Sequence, residues 1–467
     1  NKCTYLLINV DVNAEEMMIK GYILTLLSLF AANINLSCRA FSPVSRPLPT
    51  TLFRKPLAES ANLGLRVSTD QIDGNNSNPA TTSEYSSSLT RSAALTPSQR
   101  RIANVEKYAR LPVWPVWQGV FLFFASKIFG PEVAAQWEDN IGGRVCPNFF
   151  EPAVTAPFVL LVHHRHAFMN WDPVRYIQRT FFPEGFPSHP HRGFITVTYI
   201  LKGGFFHRDS VGIKQSYGAE KRHEGKHVQW LTAGAGIQHE EMWDVSVPDE
   251  KDEGNFLWTS SQELYQIWLN LPAASKMSTP DAQLLEAHSM DSSASSPPPE
   301  NTTPIITSED GSTITTVVAG EHNGVRAPVE CPTNASIIRV QFTPNAKDPS
   351  TWTHTLPPTH ETAILYIRQG SVQIDNQRIP PHHTVYLTPG GEQLTIQALE
   401  GEADVLLLSG EPLREPIASQ GSMVMNTQEE IQKAYMDYQR GFMGMPWDHA
   451  LSDDEWREHV KQNPSRY

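Results

Sequence analysis

Val197, Tyr199 and Leu201 alternate with Thr196, Thr198 and Ile200 in a β-branched and aromatic run that Gly203-Gly204 closes. That pattern predicts a buried strand ending in a turn. Val228 to Thr232 reads as a second strand, after which Gly234 and Gly236 let the backbone turn sharply. From Ile305 onward, IIRVQF, AILYIR, SVQI and VYLT make another set of short strands separated by Pro and Gly turns. Helical periodicity is confined to two places. Trp114, Trp117, Phe121, Phe124, Ile128 and Phe129 recur at three- and four-residue steps, with Pro112 and Pro115 near the start. They predict a helix face that packs on the first group of strands. Gln118 and Lys127 bracket too short an apolar stretch for a membrane span, although such a face also suits a membrane surface. Thr427 to Glu430 is a capping box, and Ile431, Ala434, Tyr435 and Tyr438 then share one helix face.

Histidines cluster where these strands begin and end. HPHRGF, at His189 to Phe194, leads into the first strand, and HEEM, at His239 to Met242, follows the second. In each, two potential ligands sit two residues apart, a spacing that turns both side chains to one face of a strand. Three imidazoles and one carboxylate suit a divalent transition metal, whereas calcium or magnesium wants mostly oxygen ligands. His189, His191, His239 and Glu241 are therefore the candidate ligand set. A lone HxH is as readily a pair of buried structural histidines, but two such pairs, each beside a strand and a glycine turn, favour a metal. HHRH at His163 to His166 reads instead as a rim of solvated histidines, so His163, His164 and His166 stay outside the metal set.

HPHRGFITVTYILKGG, then HRDS, then VQWLTAGAGIQHEEM, then YQIWLNLP closely resemble the pirin family of the cupin superfamily, in the right order. A weaker match runs through PPHHTVYL and GEPLREP to VMNTQEEI, so the resemblance covers about Pro157 to Gly441. It implies an all-β bicupin, two tandem jelly-roll-like barrels with a helical N-terminal extension and a C-terminal helix. It also implies iron in the N-terminal barrel, at the positions matching His189, His191, His239 and Glu241. Inward strand faces in such barrels fill or line a pocket. Pirins generally carry a glutamate directly after HPHRGF, where this chain has Ile195; the tuning around the metal changes, not the ligand set. No HxH and HxE pair recurs in the second barrel. His354, His360, His382 and His383 are candidates by residue type only, and the resemblance implies no second metal there.

At 467 residues with 40% apolar composition, the chain has room for two or three domains with ordinary cores. A net charge of −13, with no basic run in the cupin region, argues against a nucleic-acid surface. Cys3, Cys38, Cys146 and Cys331 are far apart, which indicates neither a disulfide framework nor a zinc knuckle.

The N-terminus reads as an address. Lys20 precedes an apolar run from Gly21 to Ala32 that suits a signal peptide, with Met17 or Met18 as a plausible start. SCRAFSPVSRPLPTTLFRKPLAES follows, without an acid until Glu59, and resembles the bipartite plastid presequence of diatoms and related algae, Phe41 opening the transit peptide. A plastid location is the expectation, with the secretory pathway or cytoplasm as alternatives. The expected organisation is a signal-like segment at 1–40, a transit-like and disordered segment at 41–101 and a helical extension at 102–150. The metal-binding barrel then spans 151–272, a Ser/Pro-rich linker 273–304, the second barrel 305–417, and a C-terminal helix and tail 418–467.

Two functional classes follow from the same ligands. One is a quercetinase-type dioxygenase that presents a flavonol or catecholate to dioxygen at iron(II), with Glu241 taking the substrate hydroxyl proton. Arg192, Phe194, Trp230, Met242 and His163 are candidates for its pocket wall; each reads equally as barrel core or surface, and Phe194 and Trp230 read better as core. The other is a non-catalytic regulatory protein whose metal redox state biases docking of a protein partner. Manganese, nickel, copper and zinc remain open beside iron, because affinity alone does not choose among them.

Overall fold

The computed structural model describes residues 98–444 apart from 113–116, 131–132, 135–136, 138–141, 170–171, 182, 220–224, 246–258, 291–296 and 344–349, together with 455 and 458. Nearly all of the expected presequence, Trp114 and the Ser-rich centre of the expected linker lie outside the described residues.

Within the unit that begins at Leu95 the chain is mostly strand. The elements that build the site and its setting are β1 (Ile102–Lys107), α1 (Trp117–Phe129), β2 (Gly142–Phe149), β3 (Phe158–Met169), β4 (Gly185–His191), β5 (Phe194–Lys202), β6 (Gly204–Asp209), β7 (Lys214–Gly218), β8 (Lys226–Thr232), β9 (Ile237–Trp243) and β10 (Thr259–Asn270). Then come β11 (Asp281–Met290), β12 (Thr302–Thr307), β13 (Thr313–Ala319), β14 (Ala335–Phe342), β15 (Thr362–Gln369), β16 (His383–Leu387), β17 (Ala403–Gly410), β18 (Met423–Met425) and α2 (Gln428–Gln439).

One fourteen-stranded sheet runs through both barrels in the order β1-β16-β15-β17-β14-β13-β12-β11-β8-β5-β10-β3-β2, ending on the short strand Leu111–Pro112. Each barrel closes with a four-stranded sheet, β4-β9-β6-β7 in the first. The barrels join where β11 pairs parallel with β12, Glu286 opposite Thr302.

The tract expected as a linker thus supplies two strands. The Ser and Pro composition misled because only its centre is free of strand pattern. The expected helical extension likewise carries strands: β1 pairs with β16 of the second barrel, Val105 opposite Val385, and β2 pairs with β3 of the first.

Strand alternation makes two cores from one sheet. On one face Ile195, Val197, Tyr199, Trp230, Tyr265 and Ile267 of the first barrel meet Ile337, Ile364, Tyr366, Leu406 and Leu408 of the second in a shared core. A buried polar chain crosses this interface. Tyr366 donates its hydroxyl to His163 Nδ1 (2.9 Å) and His163 Nε2 donates to Glu263 (2.8 Å). Arg368 grips Glu263 with two bonds (2.9 and 2.7 Å) and reaches Asp404, which Arg339 also holds.

α1 differs from its expected packing. Among its described side chains Leu122 and Ala125 are buried, while Phe121, Phe124, Ile128 and Phe129 are 42–71% exposed. The helix is apolar almost all round, so periodicity alone does not select the face that meets the sheet.

Candidate metal centre

β4 and β9 pair antiparallel with His239 opposite His189 and Ile237 opposite His191, and the register slips between His239 and Glu241. The turn after β4 is fixed by Gly193, at φ +84°, whose amide donates to the Gly234 carbonyl at 2.9 Å. Three imidazoles are thereby aimed at one point. His189 Nε2 lies 3.0 Å from His191 Nε2 and 3.1 Å from His239 Nε2. His189 Nδ1–H donates to the Pro187 carbonyl (2.9 Å), which leaves its Nε2 lone pair pointing inward.

These separations test the fit to a metal. Two nitrogens each about 2.1 Å from an ion lie about 3.0 Å apart at a right angle and about 3.4 Å apart at a tetrahedral angle. The observed spacing matches the right angle. Burial, reinforced by the neighbouring imidazoles at His191 and His239, depresses the pKa of all three histidines. They are neutral at physiological pH, the state in which imidazole ligates.

Glu241 is the second half of the site. Its Oε1 lies 3.1 Å from Thr198 Oγ1 and accepts from the Tyr217 hydroxyl (3.2 Å), while Oε2 accepts from Gln266 Nε2 (3.5 Å). Burial raises its pKa against the opposing pull of His207 and these hydrogen bonds. Two triads share His239: His189-His191-His239, and His207-His239-Glu241, with donor atoms within 4.8 Å in each, so Glu241 groups with His207 and His239.

His207 is the residue the sequence reading missed. Its Nε2 donates to Asp209 Oδ2 (2.9 Å), and its Nδ1 is buried without a partner. HRDS carried the signal: a histidine and an aspartate two residues apart on a strand share a face, as in HPH. Thr196 and Thr198 on β5 stand opposite Trp268 and Gln266 on β10. Thr196 Oγ1, Trp268 Nε1 and Gln229 Oε1 are buried and unpartnered. This barrel interior therefore offers donors and acceptors that the protein itself does not satisfy.

Residues 144–269 match the pirin family, and residues 346–444 match the pirin C-terminal cupin domain. Over 321 residues the chain is 33% identical to pirin-1 of Arabidopsis thaliana, covering 67% of this chain and 93% of that protein. The chain belongs to the pirin family. It is 34% identical to human pirin over 272 residues, 56% of this chain and 79% of that one. Among solved structures, quercetin 2,3-dioxygenase from Acinetobacter baumannii aligns with a TM-score of 0.55 at 25% identity, covering 75% of this chain and all of that one. Family, fold and donor set together point to a divalent metal.

Of the residues expected to wall a pirin pocket, Phe194 touches the site, its ring 5.1 Å from His191 and 4.5 Å from Trp268. Trp230 belongs to the shared core between the barrels, and His163 to the polar chain there. Strand alternation turns both away from the metal face. Met242, next to Glu241, alternates to the other face, where its Sδ covers Gly185. Arg192 points to the C-terminal helix, donating to Asp437 at 2.8 Å. The HHRH rim is not solvated: His163, His164 and His166 are at most 9% exposed. His164 and His166 lie inside the barrel against Phe186 and Trp243, and burial lowers the pKa of His166 to about 3. Among the described residues no helix is long and apolar enough to cross a membrane.

Proposed function

We propose that the chain is a metal-dependent dioxygenase of quercetinase type acting on flavonol- or catechol-like molecules, with iron(II) held by His189, His191, His239 and Glu241. The observation that carries this is the convergence of three neutral imidazoles, with His189 Nε2 3.0 and 3.1 Å from the Nε2 atoms of His191 and His239, beside an unsatisfied polar interior. The likeness to a quercetin 2,3-dioxygenase supports the reaction class. Three imidazoles and one carboxylate would leave positions open on such an ion for substrate and dioxygen. When bound, the metal supplies Lewis acidity and dioxygen chemistry.

The protein's own groups do the rest. Glu241, whose pKa burial raises, accepts the substrate hydroxyl proton. Thr198, Tyr217 and Gln266 hold the carboxyl in reach and stabilise it once charged. Trp268, whose ring centroid lies 5.4 Å from that of His191, offers its unpartnered Nε1–H to a substrate oxygen, and Gln229 Oε1 is an unpartnered acceptor. Phe194 and Trp268 offer an aromatic wall to a planar ring system and keep water from it. In the cell we place this activity in the plastid, on the strength of the presequence pattern.

The test is oxygen uptake by iron-reconstituted protein with flavonols and catechols, compared with Glu241→Gln. The proposal expects uptake that the substitution abolishes. Stoichiometric iron with no uptake on any substrate would move the reading to a redox-dependent binding protein.

A further inference from the structure

The C-terminal segment Ala418–Gly444 leaves the second barrel and lies across the metal face of the first. Its backbone is stitched to the turn that carries His191: Val424 N donates to the Arg192 carbonyl (3.0 Å), and the Ser422 backbone approaches the His191 ring. Lys276 is buried and its Nζ donates to both Gly193 O (2.8 Å) and Val424 O (3.0 Å). Arg192, between His191 and Gly193, reaches Ala235 O through Nε (2.6 Å) and Asp437 on α2 through its guanidinium (2.8 Å).

The far end of the segment meets the other ligand strands. Gln238, next to His239, donates to Gly444 O (2.7 Å), and Ser210, next to Asp209, donates to Met443 O (2.8 Å). The approach is too close for side chains on the turn. A Cβ on Gly193 would sit 2.0 Å from Val424 O, and one on Gly236 would sit 2.6 Å from Met443 Cγ.

The segment has little to hold it apart from these contacts. Its own core is Met423, Met425, Ile431, Ala434 and Met443. A unit with so small an apolar cluster opens more easily than the barrels beneath it. Its attachments fall on the residues flanking His191, His239 and Asp209, so opening it frees the backbone that aims the ligands.

We infer that Ala418–Gly444 is a strap whose docking and the metal occupancy of the first barrel are thermodynamically coupled, with Asp437, Arg192 and Lys276 as positioning residues for His191. The inference rests on the ligand set proposed above. Coupling is reciprocal: docking the strap tightens the metal, and the metal holds the strap down. Asp437 and Arg192 are both buried, so Asp437→Asn leaves an uncompensated guanidinium and loosens the clamp without altering shape.

The test uses the full chain and nickel(II) as the probe metal. Asp437→Asn should bind it about 10- to 100-fold more weakly, the range for groups that orient ligands. Asp437→Glu should recover most of the loss. In wild-type protein, nickel should slow hydrogen exchange of the amides of α2 and β18, and leave those of β17 unchanged. Wild-type affinity in Asp437→Asn, or exchange in α2 that ignores nickel, overturns the strap. If Asp437→Asn does not fold, the exchange experiment on wild-type protein decides alone. A wild-type chain that takes up no metal would instead remove the proposed function, and the strap coupling with it.

Discussion

Asp209→Asn should weaken metal binding while keeping side-chain volume. The Asp209 carboxylate accepts three N–H groups: Val211 N (3.0 Å) and Ile213 N (2.9 Å) on Oδ1, and His207 Nε2 (2.9 Å) on Oδ2. An asparagine has one oxygen to meet them. Its oxygen stays on the two backbone amides, so its NH2 faces His207 Nε2, a donor against a donor. His207 relieves the clash by moving its proton to Nδ1, which is buried without a partner in a ring grouped with His239 and Glu241. A proton then stands where a lone pair had been.

Groups beside a metal that orient its ligands, as His207 does beside His239 and Glu241, are worth about 10- to 100-fold in metal affinity, or about 1.4–2.7 kcal/mol. Competition of wild-type and variant protein against a chromogenic chelator for nickel(II) at pH 7.5 measures this directly. Affinity within twofold of wild type would refute the role given to His207.

Three further outcomes follow from the same geometry. Burial lowers the pKa of His163 and His227 to about 4 and of His166 to about 3. Between the unfolded value of about 6.5 and these folded values the unfolded chain binds more protons, so stability is full above pH 6.5 and falls as pH drops. Each group costs about 1 kcal/mol between pH 6.5 and 5.5, and thermal melts of metal-free protein across that range should decline accordingly; a flat profile contradicts the burial. Glu263→Gln breaks a buried pair with Arg368 and should cost about 3 kcal/mol, a fall of about 4 °C in Tm for roughly 350 folded residues. Calorimetry checks it, and a shift below about 1 °C would mean the polar chain does not tie the barrels. A fluorescent protein fused behind residues 17–67 should reach the plastid of a diatom cell, and Phe41→Ala should divert it; microscopy showing both fusions at one address refutes the presequence reading.

The strands that carry the candidate ligands were legible because period-two spacing and a nearby glycine turn are local signals: His189 with His191, and His239 with Glu241, needed no tertiary information. The capping box of α2 was legible for the same reason, and Thr427 accepts from the Glu430 amide while Glu430 reaches back to Thr427. What the sequence hid was which barrel each segment serves. IANVEK has weak alternation, and only pairing with β16 makes it a strand of the second barrel. The strap is the mirror case, a segment of the second half that finishes the first. Trp230 is core, as its better reading had it, but face assignment failed at His163 because a sheet shared by two barrels buries both of its faces, so hydrophobicity no longer separates inside from outside. HHRH misled similarly: three imidazoles look polar in sequence, yet aromatic neighbours bury them and burial keeps them neutral.

The most direct test of the central claim is isotope incorporation during turnover under ¹⁸O2, by iron-loaded protein on the flavonol that gives the fastest oxygen uptake. The account predicts ring-opened product carrying both labelled atoms, formed by wild type and absent in His189→Ala. Stoichiometric iron with unlabelled product, or labelled product formed equally by His189→Ala, would contradict it.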